Sequence, residues 1–99
     1  MPQFDVYEVR STGGLAINCQ SDLLGDIATR LIVPLIPPTE ATWAMPRIAP
    51  VVQFQGTDYV LATPLAAGVR TSELRGPIGS LAEHRHLIIG AFDLVLTGV

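Results

Sequence analysis

This sequence predicts a mainly β domain with a carboxyl-terminal helix, and three observations lead there. Over its first two thirds the 99-residue chain breaks into short runs rich in aromatic and β-branched residues, punctuated by Gly, Pro, Ser and Thr. One run carries a proline inside an otherwise continuous apolar stretch, which suits a bent, barrel-like antiparallel sheet better than a flat one. Only the end of the chain abandons this rhythm, with a helix start signal followed by a long apolar segment.

Residues 3–9 (QFDVYEV) form the first strand, and Ser11, Thr12, Gly13 and Gly14 supply permissive backbone for a turn into residues 15–20 (LAINCQ), completing a hairpin. Residues 30–36 (RLIVPLI) are nearly unbroken in apolar character and suit a strand buried on both faces; Pro34 lacks a ladder donor and implies an edge or a bulge. Pro37, Pro38, Thr39 and Glu40 open a polar loop. Residues 49–55 (APVVQFQ) and 58–63 (DYVLAT) form a second hairpin through a tight turn at Gly56-Thr57, and residues 69–72 add a short strand before Gly76-Pro77-Ile78-Gly79 breaks the chain.

Ser80-Leu81-Ala82-Glu83 matches a capping box, in which the Ser80 hydroxyl accepts from the amide of Glu83 while the Glu83 carboxylate reaches back to the amide of Ser80. The helix is expected to start there. Beyond Glu83, His84, Arg85 and His86, residues 87–96 (LIIGAFDLVL) hold one charged group, Asp93. A helix apolar on every side must be surrounded, and this one is too short to cross a bilayer. A second protomer or a bound target is expected to cover part of it.

Composition narrows the function. The net charge is -3, and six Arg are scattered along a chain without Lys, so no basic footprint favours direct nucleic-acid binding. Asp5 and Glu8 interrupt the amino-terminal stretch, which has no signal-like apolar run, so a cytoplasmic protein is expected, with no membrane association. The lone Cys19 cannot form an intrachain disulfide and reads as a buried thiol; with His84 and His86 it makes no zinc pattern, so no metal or other cofactor is expected. Apolar residues are 48% of the chain and charged ones 15%, against roughly 25% charged in an average globular domain. One small domain cannot hide so much apolar surface, which points to a homodimer.

The blocks QFDVYEV (3–9), QSDLL (20–24), RLIVPL (30–35), VLAT (60–63), GSLAEHR (79–85) and a terminal apolar helix ending in Thr97-Gly98-Val99 occur in the order seen in the CcdB toxins, and the chain resembles that family from end to end. The resemblance implies a bent SH3-like half-barrel with an accessory sheet and a carboxyl-terminal helix, assembled as a symmetric dimer. It also implies a function: such toxins bind the A subunit of DNA gyrase and trap it on cleaved DNA. They are held in check by a CcdA-like antitoxin that carries the DNA-binding domain through which the complex represses its operon. By position, the gyrase-facing residues would be Leu23, Leu24, Asp93, Thr97, Gly98 and Val99, with Phe4 as core support. Arg10, Ser11, Thr12 and Gly13 of the first turn, together with Trp43, are the antitoxin contacts expected. Well-known gyrase poisons of the family end in Trp-Gly-Ile, where Thr97-Gly98-Val99 stands here, and carry an amide where Asp93 stands. Losing an aromatic anchor typically costs about 2 kcal/mol, roughly thirtyfold in affinity.

Bland alternatives accompany these assignments. Leu23 and Leu24 could be ordinary core, Trp43 likewise, and Arg30, Arg47 and Arg70 could each pair with an acid on the sheet surface. His84, Arg85 and His86 invite an acid–base reading, but residues two apart on a helix point in nearly opposite directions. A MazF-like endoribonuclease, similar in fold, is the enzymatic alternative; a homologue that keeps antitoxin binding without toxicity is the third.

Overall fold

In a computed structural model, which describes residues 1–98, the chain runs through β1 (Asp5–Val9), β2 (Leu15–Asn18), β3 (Thr29–Ile36), β4 (Val51–Phe54), β5 (Thr57–Leu61), β6 (Ala67–Arg70), β7 (Leu74–Ser80) and α1 (Arg85–Thr97). All pairings are antiparallel, in the order β4-β5-β3-β2-β1-β7, with β6 also on β3. Between β6 and β7 therefore lie β3, β2 and β1. Four strand spacings amount to roughly 19 Å in a flat sheet. The connection is a single 3-10 turn, Thr71–Glu73, and even fully extended the step from Arg70 to Leu74 spans only about 14 Å. The sheet must therefore curl, and this is the expected bent half-barrel.

The first hairpin forms as expected, with Tyr7 opposite Ala16 and Glu8 opposite Leu15. Pro34 lies neither at an edge nor at a bulge: β3 is central. Its first half pairs with β6 up to Ile32 and its second half with β5 from Leu35, so Pro34 falls where the neighbour changes. The Pro34 carbonyl, on the side of that change, accepts from the amide of Ala62 at 3.0 Å. The missing N–H would point the same way, into the gap, and the ladder to β2 loses nothing.

Three further expectations are corrected. The second hairpin turns at Gln55-Gly56, not Gly56-Thr57: both residues have positive φ (52° and 80°), and Phe54 faces Thr57 across a two-residue turn. Residues 76–79 do not break the chain but lie within β7. Between Val6 and Glu8 of β1, the partner moves from Gly79 to Arg75, so β7 carries a bulge that accommodates Gly76 and Pro77, joined by a cis peptide bond. The capping box does not form. Ser80 is still paired with Asp5, and the Leu81 amide donates to the Phe4 carbonyl at 2.8 Å, so both residues belong to the sheet. The Ser80 hydroxyl accepts from Ala82 instead, a 3-10 turn covers Ala82–His84, and α1 starts at Arg85.

Strand alternation sends side chains to two cores. Val6, Ile17, Val33 and Leu35 pack with Phe54, Leu61, Leu81 and Ile88 of α1 on one face; Tyr7, Ala16, Ile32 and Leu74 pack on the other. Neighbouring Ile32 and Val33 are both buried, as the unbroken apolar run required. A satellite cluster of Ala41, Ala49 and Val60 anchors the segment between β3 and β4.

Candidate functional site

Residues 21–29, between β2 and β3, are all exposed, yet their backbone is tied down. Ser21 caps a 3-10 turn, Asp22–Leu24, by accepting from the Leu23 amide at 3.2 Å. The Asp22 carboxylate accepts from the amide of Gln3 at 2.8 Å. The Gln20 amide group donates to the carbonyls of Leu24 (3.2 Å) and Thr29 (3.0 Å) and accepts from the amide of Leu31 (3.0 Å). The Arg30 guanidinium, buried under the loop, donates to the carbonyls of Gly25 (2.9 Å), Thr29 (2.8 Å) and Ile27. This arrangement holds Leu23 at 94% exposure and Leu24 at 48%. Neither is core, and Arg30 is not the surface ion-pair partner expected of it.

On α1 only Ile88 and Ala91 are fully buried, while Leu87, Ile89, Val95 and Leu96 are exposed. The surrounded helix is thus open on its outer side in the single chain. Asp93 is exposed; its carbonyl accepts from the Thr97 hydroxyl at 2.7 Å. Gly98, at φ 74°, ends the helix in the left-handed conformation, its amide donating to the Leu94 carbonyl at 2.8 Å. Val99 lies outside the described residues.

A cleft of 220 Å³ lies beside α1, with Gln3, Leu31, Ile89, Phe92, Asp93 and Leu96 along its walls and Phe4 and Cys19 among its lining. Gln3 is the hinge between its two sides. Its amide donates to Asp22 of the leucine-bearing loop, and its side-chain oxygen accepts from Arg85 of α1 at 3.2 Å. The Arg85 guanidinium also stands 5.7 Å from the centroid of the Phe4 ring. Phe4 is buried, as expected of a supporting core residue, with φ at 71°. The structure thus links the QSDLL segment to the cleft wall through Gln3, and none of residues 20–24 lines the cleft beside α1. Gln3, Leu31, Phe92 and Leu96 escaped the sequence reading, because alternation alone made them strand and helix positions like any others.

Arg10, Ser11, Thr12 and Gly13 are exposed on the first turn. Thr12 and Gly13 line a larger apolar groove of 640 Å³ with Leu15, Ile36, Glu40 and Tyr59. Trp43 is 45% exposed and lines neither this groove nor the cleft, so the expected antitoxin contacts do not form one lined site. Arg47, His86 and Asp93 share a shallow depression beside α1. Among the described residues the ion pairs are Arg75–Glu8 at 3.5 Å and Glu83–His84 at 3.7 Å, so neither Arg47 nor Arg70 makes the expected bridge.

Burial pushes the Cys19 thiol up to about 12, which keeps it protonated and unreactive at neutral pH. Among the described residues no group of three or more His, Cys, Asp or Glu side chains could hold a metal ion, and no helix is long and apolar enough to cross a membrane.

These features define a small antiparallel half-barrel with a carboxyl-terminal helix and a hydrogen-bonded loop that displays apolar side chains, the architecture expected of the resemblance. The family model described as CcdB protein matches residues 3–98, nearly the whole chain, and the chain belongs to the CcdB family, the toxins of toxin–antitoxin pairs. No curated protein matches it.

Proposed function

We propose that this chain, as a homodimer, binds the A subunit of DNA gyrase and poisons it, without chemistry of its own, and that a CcdA-like antitoxin neutralises it in the cytoplasm. The observation that carries the reading is Leu23, 94% exposed on a loop held in place by hydrogen bonds. A leucine kept in water forgoes about 1.5–3 kcal/mol of burial, which a partner recovers on docking. Asp93, which lines the cleft beside Gln3, and the carboxyl-terminal residues Thr97, Gly98 and Val99 are the further contacts that the family resemblance implies. Leu87 and Val95, exposed on the same helix, supply apolar surface for a second protomer. A two-fold dimer would engage a two-fold target twice, with the gain of avidity.

The deciding experiment is a supercoiling and DNA-cleavage assay with purified protein and gyrase, run beside Leu23→Asp and a deletion of Gly98 and Val99. Trapped double-strand breaks that disappear in both variants are expected. A folded dimer without effect on gyrase overturns the target. RNA cleavage in the absence of gyrase would favour the ribonuclease alternative, with Arg47, His86 and Asp93 as the first residues to replace.

A further inference from the structure

We infer that Gln20 and Arg30 are positioning residues, which hold the segment between β2 and β3 in the one shape that presents Leu23, and so strengthen target binding without touching the target. The inference rests on reading Leu23 as a gyrase contact. Its basis is the way the segment is held. Every residue from 21 to 29 is exposed and the 3-10 turn Asp22–Leu24 buries nothing, so packing cannot fix the loop. The backbone bonds of the part that carries Leu23 are short-range, Leu24 to Ser21 (3.0 Å), Gly25 to Asp22 (3.2 Å) and Ile27 to Leu24 (3.2 Å), and only at the far end does the Ala28 carbonyl accept from a distant amide, that of Thr71 at 2.9 Å. Turns of this kind, exposed to water, open readily.

What ties the stretch from Ser21 to Ile27 to the sheet is a pair of side chains at its two ends, with Asp22 on the Gln3 amide as an outer stay. Gln20, its own amide held by the Asn18 side chain at 3.2 Å, bridges the Leu24 and Thr29 carbonyls and thereby pins the turn's exit to the start of β3. Arg30 points back under the loop and serves three of its carbonyls, of Gly25, Ile27 and Thr29. An arginine only 6% exposed, with no acid among its hydrogen-bond partners, is rare. Its planar fork of five donors can reach several carbonyls from one place, which a lysine ammonium on a flexible stem does less well. A loop fixed beforehand loses little conformational freedom when Leu23 docks; a loose one must be ordered at the expense of affinity.

The test uses the full-length protein with Gln20→Ala, Gln20→Glu, Arg30→Lys and Leu23→Ala, and reads amide exchange at Leu24, Gly25 and Ile27, binding to the gyrase A subunit, and the urea midpoint. Gln20→Ala is expected to speed exchange at these amides and to weaken binding roughly tenfold, with the midpoint little changed. Gln20→Glu keeps the acceptor for Leu31 but loses both donors, so it should behave as the alanine variant does; Arg30→Lys should fall between that variant and the parent. In the Leu23→Ala background the Gln20→Ala penalty on binding should vanish, because a residue that acts through Leu23 has nothing left to act on. Unchanged exchange, or an equal binding loss with and without the Leu23 side chain, overturns the inference. If Leu23→Ala itself leaves binding intact, the gyrase reading of that residue fails, and the exchange rates by themselves uphold or overturn the tethering role.

Discussion

Gly79 of β7 lies against the edge of the Phe54 ring so closely that a β-carbon there would stand 2.5 Å from Cε1 and 2.6 Å from Cζ. Ordinary contact begins near 3.4 Å, so Gly79→Ala requires the ring or the strand to give way by about 1 Å. Phe54 cannot swing into solvent, since it is 5% exposed and packed with the main core. Overpacking of this kind costs about 1–3 kcal/mol. Alanine opposes that with the roughly 0.5–1 kcal/mol that glycine forfeits inside a strand. A net loss of about 1–2 kcal/mol remains, and in a chain of this size it lowers Tm by roughly 5–15 °C. Urea and thermal unfolding at one fixed protein concentration would measure it, because the midpoint of any self-associating protein moves with concentration. The control is Phe54→Leu, which lacks Cε1 and Cζ; on that background Gly79→Ala should be neutral or stabilising. An equal penalty on both backgrounds would refute the reasoning, as would a Gly79→Ala protein as stable as its parent.

Three other outcomes are expected. The Tyr7 hydroxyl is buried without a hydrogen-bond partner among the described residues, so Tyr7→Phe should leave stability unchanged or raise it by up to about 1 kcal/mol; a loss above that size in urea unfolding would contradict the orphan. The Cys19 thiol, pushed up to about 12 by burial, keeps a proton that the unfolded chain releases from about pH 8.5. Stability is therefore flat below that pH and falls by about 1.4 kcal/mol per unit above it, and Cys19→Ala should remove this part of the slope. An unaltered slope counts against a protonated core thiol. Trp43→Ala, at a half-exposed site, should weaken antitoxin binding measured by calorimetry by tenfold or more while the protein stays folded; unfolding without a separable binding defect would return Trp43 to the structural role.

The architecture was largely legible in the residues, because it rests on local signals. Alternation in residues 3–9 and the Ser11–Gly14 turn gave the first hairpin, and the unbroken apolar run at 30–36 gave a strand buried on both faces. The misreadings share one cause, the reach of the sheet beyond its nearest neighbours. Pro34 resembles an edge residue until β3 is known to exchange β6 for β5 beside it. Ser80 and Glu83 have the spacing of a capping box, but Asp5 and Phe4, far away in sequence, hold Ser80 and Leu81 in the sheet. Of the candidate site, Leu23 and Leu24 were found through the family pattern. Arg30 was misread because an isolated arginine before an apolar run gives no sign that its partners are backbone carbonyls, which every sequence has.

The pairing of β1 with β7 also bears on how the molecule comes into being. β1 leaves the ribosome well before its outer neighbour, since Ser80, opposite Asp5, follows it by 75 residues. The curled sheet cannot close until β7 emerges, and α1 follows only after that. Such distant pairings are slow, and they leave the apolar strands uncovered in the meantime. A nascent copy of this protein therefore holds β1 to β3 ready long before β7 and α1 can cover them, and the face that α1 completes is the last of these elements to form.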